Sequence, residues 1–238
     1  MSAVSMATVG VIGGIAPEST VDYYRQIIAR YRARSQDEHN PSILINSIDM
    51  TTMLGFVSAG QFDELTTYLV REVTRLAHAG ADFALFASNT PHIVFDEVSA
   101  QSPVPLASIV QAACTAARAA GFRNLGLLGT RSTMAGAFYP SVFQRAGLRV
   151  IAPHADEQEY VHEKYMGELV RGEFLPETRT RLVALIDTMC ARDALDAVIL
   201  GGTELPLALR DAPGLTRPVL DTTAVHVEEV VTRLLAAR

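Results

Sequence analysis

Val9-Gly10-Val11-Ile12-Gly13 is an apolar run that ends in glycine, and Leu125-Gly126-Leu127-Leu128-Gly129 repeats it 116 residues later. Each run is followed by a small polar loop and then by the start of a helical pattern that carries a tyrosine. Short apolar runs bounded by glycine are typical of buried parallel strands. The repeat therefore predicts two α/β halves that share one order of parts.

A second pair of matching stretches lies 114 residues apart. Ser88-Asn89-Thr90-Pro91-His92 follows one apolar run, and Gly202-Thr203-Glu204 follows another. In open α/β sheets, ligands bind beyond the carboxyl ends of the strands. We therefore expect both stretches to belong to one active site in the cleft between the two halves.

Short β-branched runs alternate with longer segments of helical periodicity along the chain. The predicted strands are 8–12, 43–48, 83–87, 106–109, 125–128, 150–152, 197–200 and 219–220. The predicted helices are 19–34, 61–79, 111–120, 134–146, 157–171, 177–192 and 224–237. This alternation predicts an α/β fold of two pseudo-symmetric domains, each a mostly parallel sheet flanked by helices.

The pattern is interrupted at Gln101-Ser102-Pro103-Val104-Pro105, where two prolines disfavour regular structure. We place the domain boundary there and expect the last helix to return to the first domain. The predicted N-terminal domain comprises residues 1–102 plus 208–238, and the predicted second domain comprises residues 103–207.

Composition excludes several classes of protein. No apolar run reaches the roughly 18 residues that cross a bilayer, and Met1–Thr8 contains no basic residue of the kind that begins a signal peptide. The net charge of -6, without a basic block, argues against nucleic acid as a partner. Cys114 and Cys190 have no metal-ligand spacing, so we expect buried thiols in a reducing cytoplasm.

The segment Gly13–Thr20 follows a predicted strand and begins a helix. Its two glycines permit a tight turn, and Pro17 suits the first helical turn. Backbone N–H groups at a helix start favour a carboxylate or phosphate, although the nucleotide fingerprint G-x-G-x-x-G is absent. Gly14 and Ile15 are therefore candidate substrate-binding residues, and a plain strand-to-helix turn is the alternative.

Four hydrogen-bonding side chains lie in the Ser88–His92 stretch, whereas a capping turn needs only one. Asn89 and Thr90 are candidates to hold a carboxylate or carbonyl. Ser88 could donate a hydrogen bond or act as a nucleophile, although no G-x-S-x-G elbow surrounds it. His92 is a candidate acid or base because imidazole titrates near neutral pH, and a histidine packed under the loop is the alternative.

The second strand end carries a different set of groups. Gly202 admits close backbone approach, Thr203 can donate to a carboxylate, and Glu204 could cap the following helix or act as a base. Thr51 ends another strand region and could add a substrate contact. Asp221-Thr222-Thr223 is typical of a helix N-cap, with His226 on the first turns of the last helix.

Lys164 is the only lysine among 20 basic residues. Arginine serves for ordinary surface charge in this chain, so this lysine is a candidate for a compact ammonium group whose pKa can be tuned. A solvated helix residue is the alternative.

Five segments together resemble the aspartate/glutamate racemase superfamily, nearest its aspartate racemase branch: GVIGGIAPESTVDYY (10–24), SNTPH (88–92), LGLLGT (125–130), ILGGTELP (199–206) and DTTAVH (221–226). The resemblance covers nearly the whole chain in order. It implies two pseudo-symmetric domains, a small carboxylate substrate, no pyridoxal phosphate or other cofactor, no metal, and a homodimer.

The resemblance also implies two cysteines that move a proton on opposite faces of an amino acid Cα. Here Ser88 and Gly202 stand at those two positions, and Cys114 and Cys190 lie outside the matching motifs. Serine is a far poorer proton-abstracting base than a thiolate, whose pKa proteins lower to near neutral. Two-cysteine racemisation is therefore not expected.

These observations predict an enzyme that acts on a small carboxylate or amino-acid-like substrate without a cofactor or a catalytic cysteine. Its reaction would be that of a one-base isomerase, a lyase or a hydrolase. The candidate catalytic residues are Ser88, His92, Glu204 and Lys164. The candidate substrate-binding residues are Gly14, Ile15, Thr51, Asn89, Thr90, Gly202 and Thr203. The alternatives are a non-catalytic carboxylate-binding protein and a weak amino-acid racemase.

Overall fold

The computed structural model describes residues 7–35 and 39–236. Within them, one compact unit runs to Ser108 and resumes at His226, and the other covers Ile109–Val225. We call them the first and the second unit. Most of the Met1–Thr8 segment, on which the prediction against a signal peptide rests, lies outside the described residues.

The sheet of the first unit has four parallel strands in the order β2-β1-β3-β4. The strands are β1 (Thr8–Gly13), β2 (Ser42–Ser47), β3 (Phe83–Phe86) and β4 (Leu106–Ala107). Side chains alternate across β1, so that Val9 and Val11 face one layer and Ile12 faces the other. Ile12 pairs with Phe86 of β3, and this register brings the ends of β1 and β3 together.

Helices of the first unit cover the two faces of this sheet. They are α1 (Pro17–Arg34), α2 (Met50–Ala59), α3 (Phe62–His78), a 3₁₀ helix (Thr90–Val94) and α4 (Phe95–Gln101). Tyr23 and Ile27 of α1 pack on the Val9 face, while Leu65 and Leu69 of α3 pack on the Ile12 face. Burial on both faces explains why the strands read as continuous apolar runs.

The sheet of the second unit repeats this arrangement, with four parallel strands in the order β6-β5-β7-β8. The strands are β5 (Asn124–Gly129), β6 (Arg149–Ile151), β7 (Ala197–Gly201) and β8 (Val219–Asp221). The predicted α/β fold with two parallel sheets flanked by helices is confirmed.

Helices of the second unit lie on both faces of its sheet. They are α5 (Ile109–Ala119), α6 (Arg131–Ala135), α7 (Phe138–Arg145), α8 (Ala155–Gly167), a 3₁₀ helix (Leu169–Arg171), α9 (Pro176–Asp193) and α10 (Glu204–Leu209). Leu127 and Ile199 pack with Tyr139, whereas Leu128 and Leu200 pack with the α9 residue Ile186. The last helix, α11 (Thr222–Ala236), begins in the second unit and contributes Val227 and Val230 to the first core.

The structure differs from the sequence prediction at several boundaries. β8 pairs with β7, so residues up to Val225 belong to the second unit, whereas the predicted division fell at residue 207. The predicted helix 134–146 is two helices, because the chain is extended at Gly136 between α6 and α7. The helices α2 and α4 are absent from the predicted set, and α10 was anticipated only as a helix following Glu204. In the described part of the chain, no helix has the length and apolar character that a membrane span requires.

Candidate functional site

The turn after β1 requires both of its glycines. A Cβ on Gly13 would lie 2.4 Å from Cγ2 of Thr20, and a Cβ on Gly14 would lie 2.2 Å from the backbone oxygen of Ile48. Gly14 also has a φ of +84°, which favours glycine. Its N–H donates to Oγ1 of Thr20 at 2.8 Å, and the Ile15 side chain is buried in the core. Substrate binding by Gly14 and Ile15 stays a prediction.

Three polar side chains lie directly after β3 at the edge where β1 also ends. Ser88, Asn89 and Thr90 are 7%, 2% and 5% exposed. The backbone N–H of Ala87 donates to the oxygen of Ile12 at 2.9 Å, which holds this loop beside the glycine turn. The structure thus brings the two predicted motifs of the first unit together, as the parallel register requires.

His92 lies under this loop rather than at its surface. Its ring stacks on Phe95 with centroids 4.8 Å apart and meets the edge of Phe86 at 5.9 Å. Burial lowers the pKa of His92 to about 3, although hydrogen bonding to the backbone of Asn89 and Ser88 acts in the opposite direction. The imidazole is therefore neutral near pH 7, which favours the packing role over the acid–base role. The catalytic role stays a prediction.

His226 is the second fully buried histidine of the first unit. Its Nε2 lies 3.2 Å from the backbone oxygen of Ala107, and its Nδ1 lies 2.8 Å from the hydroxyl of Tyr23. A carbonyl oxygen only accepts, so Nε2 carries the hydrogen and Nδ1 accepts from Tyr23. Burial, followed by the repulsion that a protonated His92 exerts, lowers the pKa of His226 to about 3. This histidine connects α1, β4 and α11 as a neutral group.

Asp221 and Asp49 both cap helices. Asp221 accepts from the N–H of Ala224 at 2.8 Å at the start of α11, in agreement with the predicted N-cap. Asp49 accepts from the hydroxyl of Thr52 at 2.6 Å and from its N–H at 2.8 Å, and these hydrogen bonds lower the pKa of its carboxyl. Thr51 lies exposed on the same turn of α2, and its predicted substrate contact stays a prediction.

At the end of β7, the ring of Tyr165 occupies the space beside Gly202. A Cβ built on Gly202 would lie 2.4 Å from Cε2, 2.7 Å from the hydroxyl oxygen and 2.8 Å from Cζ of Tyr165. Real Cβ atoms do not approach other atoms so closely. Gly202 is therefore required by the tyrosine of α8, in addition to any role in substrate approach.

The Tyr165 hydroxyl donates a hydrogen bond to the carboxylate of Glu204. The Thr203 hydroxyl donates to the same carboxylate oxygen at 3.2 Å. Glu204 and Thr203 are each 1% exposed, and Tyr165 is 4% exposed. Burial, followed by the negative charge of Glu204, raises the pKa of Tyr165 well above its usual range. The phenol therefore remains protonated and hydrogen-bonded to a buried carboxylate.

Lys164 lies one residue before Tyr165 on α8 but makes a different contact. Its ammonium donates to Glu168, which also accepts from the hydroxyl of Thr178. The hydrogen bond to Glu168 raises the pKa of Lys164. Lys164 is thus a cation near pH 7, and this protonation state suits carboxylate binding better than proton abstraction.

Tyr165 was missed by sequence reasoning. It lies inside a predicted helix, next to the lone lysine, and helical periodicity does not reveal which distant loop a residue contacts. Only the packing of α8 against β5 and β7, through Leu128 and Leu200, places the ring beside Gly202. Within residues 7–35 and 39–236, no three His, Cys, Asp or Glu side chains are grouped so that they could hold a metal ion.

Both thiols lie on helices of the second unit, away from the strand ends. Cys114 belongs to α5 and Cys190 to α9, and they are 1% and 6% exposed. Burial raises the pKa of each thiol. Gly202 directly follows β7, and Ser88 lies two residues after the end of β3.

Comparison with known proteins agrees with the fold and the motifs. The family model for Asp/Glu/hydantoin racemase matches residues 12–230. The chain belongs to the Asp/Glu/hydantoin racemase family. The predicted resemblance to the aspartate/glutamate racemase superfamily is confirmed.

Relatives of this racemase-family chain cover almost its whole length. The broad-specificity amino-acid racemase RacX of Bacillus subtilis (strain 168) is 22% identical over 231 residues, which are 96% of this chain and 98% of that protein. An aspartate racemase homologue from Pyrococcus horikoshii OT3 is 32% identical with a TM-score of 0.82, covering 97% and 100% of the two chains. The aspartate racemase of Picrophilus torridus is 20% identical with a TM-score of 0.78, covering 96% and 94%, and shares the fold.

Membership of the racemase family supports a racemase-like function on amino acids and an enzyme of the isomerase kind.

Proposed function

We propose that this racemase-family protein is an amino-acid isomerase that moves the α-proton of a small carboxylate substrate without a cysteine or a cofactor. The observation that carries this proposal is the carboxylate of Glu204, which is buried directly after β7 beside Gly202. One oxygen of this carboxylate accepts hydrogen bonds from the hydroxyls of Tyr165 and Thr203, so the group lies where a proton can be received. Glu204 is the proton-transfer group.

The other three candidate groups support this choice by their surroundings. His92 is neutral but enclosed by Phe86 and Phe95, with its pKa lowered to about 3 by burial. Lys164 is held as a cation by Glu168. Ser88 has only a hydroxyl to offer and serves as a hydrogen-bond donor. Glu204 is the one of the four that offers a buried carboxylate at a strand end.

The loop after β3 in the first unit carries donors of the kind that bind a carboxylate. Ser88, Asn89 and Thr90 supply two hydroxyls and an amide, and their burial makes each hydrogen bond to an anion stronger than it would be in water. In the second unit, Thr203 offers a hydroxyl beside Glu204 to a substrate carboxylate oxygen. In the reaction the Cα–H bond breaks, the proton passes to the Glu204 carboxylate, and the electron pair is delocalised into the substrate carboxyl group. Return of the proton to the opposite face completes the isomerisation.

Proton exchange in heavy water tests this function. The L and D forms of aspartate, glutamate and alanine are incubated with the protein, and deuterium at Cα and the enantiomer ratio are measured by mass spectrometry and chiral chromatography. Exchange with inversion is the expected result. Glu204→Gln lowers the exchange rate by about 100-fold or more, the usual contribution of a general base. Glu173→Gln, at an exposed position of the same unit, is the matched control.

Other products identify the competing functions. Elimination or hydrolysis products with loss of substrate indicate a lyase or hydrolase. Ligand-induced thermal stabilisation without any exchange indicates the carboxylate-binding protein, since a ligand that binds only the native state raises the apparent stability. The homodimer and the cytoplasmic location stay predictions, and light scattering at two protein concentrations tests the first.

A further inference from the structure

We infer that Tyr165 and Glu204 form a proton-relay pair that replaces the missing side chain of position 202, with Tyr165 as the group that meets the substrate carbon. This inference rests on the proposed function. It adds a catalytic residue outside the strand-end motifs, and it assigns Gly202 the role of making room for that residue.

The first support is the location of the phenol. Its hydroxyl oxygen lies 2.7 Å from the point that a Cβ on Gly202 would occupy. The first reactive atom of a side chain at position 202 would extend from that point by about one covalent bond. The hydroxyl of Tyr165 therefore lies in the immediate surroundings of position 202, although it belongs to α8 rather than to the end of β7. A side chain at position 202 and the ring of Tyr165 exclude each other.

The second support is the hydrogen bonding of the pair. The phenol donates to Glu204, and Thr203 donates to the same carboxylate oxygen. A structural tyrosine in a core needs a single partner, which a backbone carbonyl can supply. Here the partner is a buried carboxylate that can take up the phenolic proton. The two oxygens are thus arranged for proton transfer between them.

The third support is the rigid mounting of the ring. Tyr165 packs in the core of the second unit with Leu128, Leu200 and Leu205. Because closely packed cores hold side chains in single rotamers, the hydroxyl is fixed relative to the end of β7. Catalytic groups held in this way need no reorganisation during the reaction.

The relay moves one proton and forms no lasting phenolate. In proton abstraction the Cα–H bond breaks and the phenol oxygen takes that proton, while the original phenolic proton passes to Glu204. The Cα electron pair is delocalised into the substrate carboxyl group. In delivery the planar substrate carbanion first presents its other face to the phenol; the phenol O–H bond then breaks, a Cα–H bond forms on that face, and the proton of the Glu204 carboxylic acid restores the phenol. Glu204 carries the net change in charge.

Tyr165→Phe tests the relay because it keeps the ring and removes only the hydroxyl. We expect the exchange rate at Cα to fall by about 100-fold, the usual size of general acid–base effects, with KM changed by less than about threefold. Tyr160→Phe, on the same helix with its ring under Arg181, is the matched control and retains activity. A Tyr165→Phe rate within about twofold of the wild type overturns the relay.

A double-mutant cycle separates a relay from two independent effects. Substitutions of two residues that share one proton path have non-additive effects on the rate. Tyr165→Phe combined with Glu204→Gln is therefore no slower than the slower single variant. Additive losses in kcat would overturn the shared path.

Introducing a thiol at position 202 gives an independent test of where the relay meets the substrate. Gly202→Cys alone places its Cβ against the ring of Tyr165 and remains at or below the wild-type rate. Gly202→Cys with Tyr165→Ala removes the ring and is expected to exchange at least about tenfold faster than Tyr165→Ala alone, since a thiol is a competent acid–base group. No gain in a folded double variant contradicts the location that we infer for the relay.

The wild-type result distinguishes failure of the relay from failure of the proposed function. Wild-type protein that exchanges no α-proton with any amino acid overturns both. Wild-type exchange that is retained in Tyr165→Phe overturns the relay alone and leaves Glu204 as a direct base.

Discussion

The ring of Tyr165 and the backbone of Gly202 lie in direct contact, with Cε2 2.4 Å from the position of a Cβ on the glycine. The two residues are separated by helix α9 and strand β7 in the sequence. Their contact means that position 202 can be occupied by a side chain only if the tyrosine moves. The second strand end therefore has a different chemical group from the first, and the two repeats are alike in backbone but not in chemistry.

Gly202→Ala is expected to destabilise the protein and to lower its activity. The added methyl overlaps a ring that is fixed in the core, and overpacking of this kind costs about 1–3 kcal/mol. Urea unfolding followed by circular dichroism measures the change. Gly55→Ala on α2 is the control, because nothing lies within 4 Å of its Cβ position and alanine favours helix by up to about 1 kcal/mol. Equal effects of the two substitutions would contradict the contact.

Ser88→Cys is expected to raise the rate of α-proton exchange by about tenfold or more. The residue lies just after β3 beside Asn89 and Thr90, and a thiol ionises at a far lower pH than a serine hydroxyl does. The gain should increase with pH as the thiol ionises. Ser88→Ala is the control and lacks this pH-dependent gain. A Ser88→Cys rate equal to that of the wild type would show that position 88 does not reach the reacting carbon.

Tyr23→Phe is expected to destabilise the protein by about 1–3 kcal/mol. The substitution leaves Nδ1 of the fully buried His226 without the hydroxyl that lies 2.8 Å from it, and an unsatisfied buried acceptor costs an amount in this range. Tyr24→Phe changes the neighbouring residue, which is 45% exposed, and should alter the free energy of unfolding by less than about 0.5 kcal/mol. Thermal and urea unfolding of both variants check the difference.

The two buried histidines predict acid sensitivity of the fold. Burial lowers the pKa values of His92 and His226 to about 3, from a usual value of 6.5. Between these values the unfolded chain binds protons that the folded protein does not. The stability that comes from keeping these two histidines neutral is therefore present in full above pH 6.5, and it is lost as the pH falls. The loss at about pH 5 is about 2 kcal/mol for each histidine.

Urea unfolding at about pH 7.5 and about pH 5 measures this dependence. His226→Gln and His92→Asn should each reduce the loss of stability between the two conditions, whatever their effect at the higher pH. His78→Asn, at an exposed position of α3, is the matched control and should show the wild-type loss. An unchanged pH dependence in both core variants would contradict the neutral state assigned to these rings.

The fold was predictable because its determinants are local and repeated. Runs such as Val9–Gly13 and Leu125–Gly129 are apolar throughout, since both faces of each parallel sheet are covered by helices. The end of the second unit was not predictable in the same way. β8 is only three residues long, and its pairing with β7 rather than with the first sheet depends on contacts remote in sequence.

The site was predictable in part for a related reason. Ser88, Asn89 and Thr90 follow a strand that the sequence reveals, so their location at a sheet edge follows from the strand alone. The state of His92 does not, because an imidazole is neutral or charged according to the groups around it. Phe95 and Phe86 enclose this ring, and no spacing rule predicts that enclosure.

The sequence by itself determined the two α/β halves, the loops at the ends of β3 and β7, and the presence of Ser88 and Gly202 at those ends. Only the tertiary structure decided what occupies the space beside Gly202. Periodicity reports which face of α8 is buried, but it does not report which distant residue that face meets. Tyr165 and Glu204 lie 39 residues apart, and their hydrogen bond exists because α8 packs against the sheet that ends in Gly202.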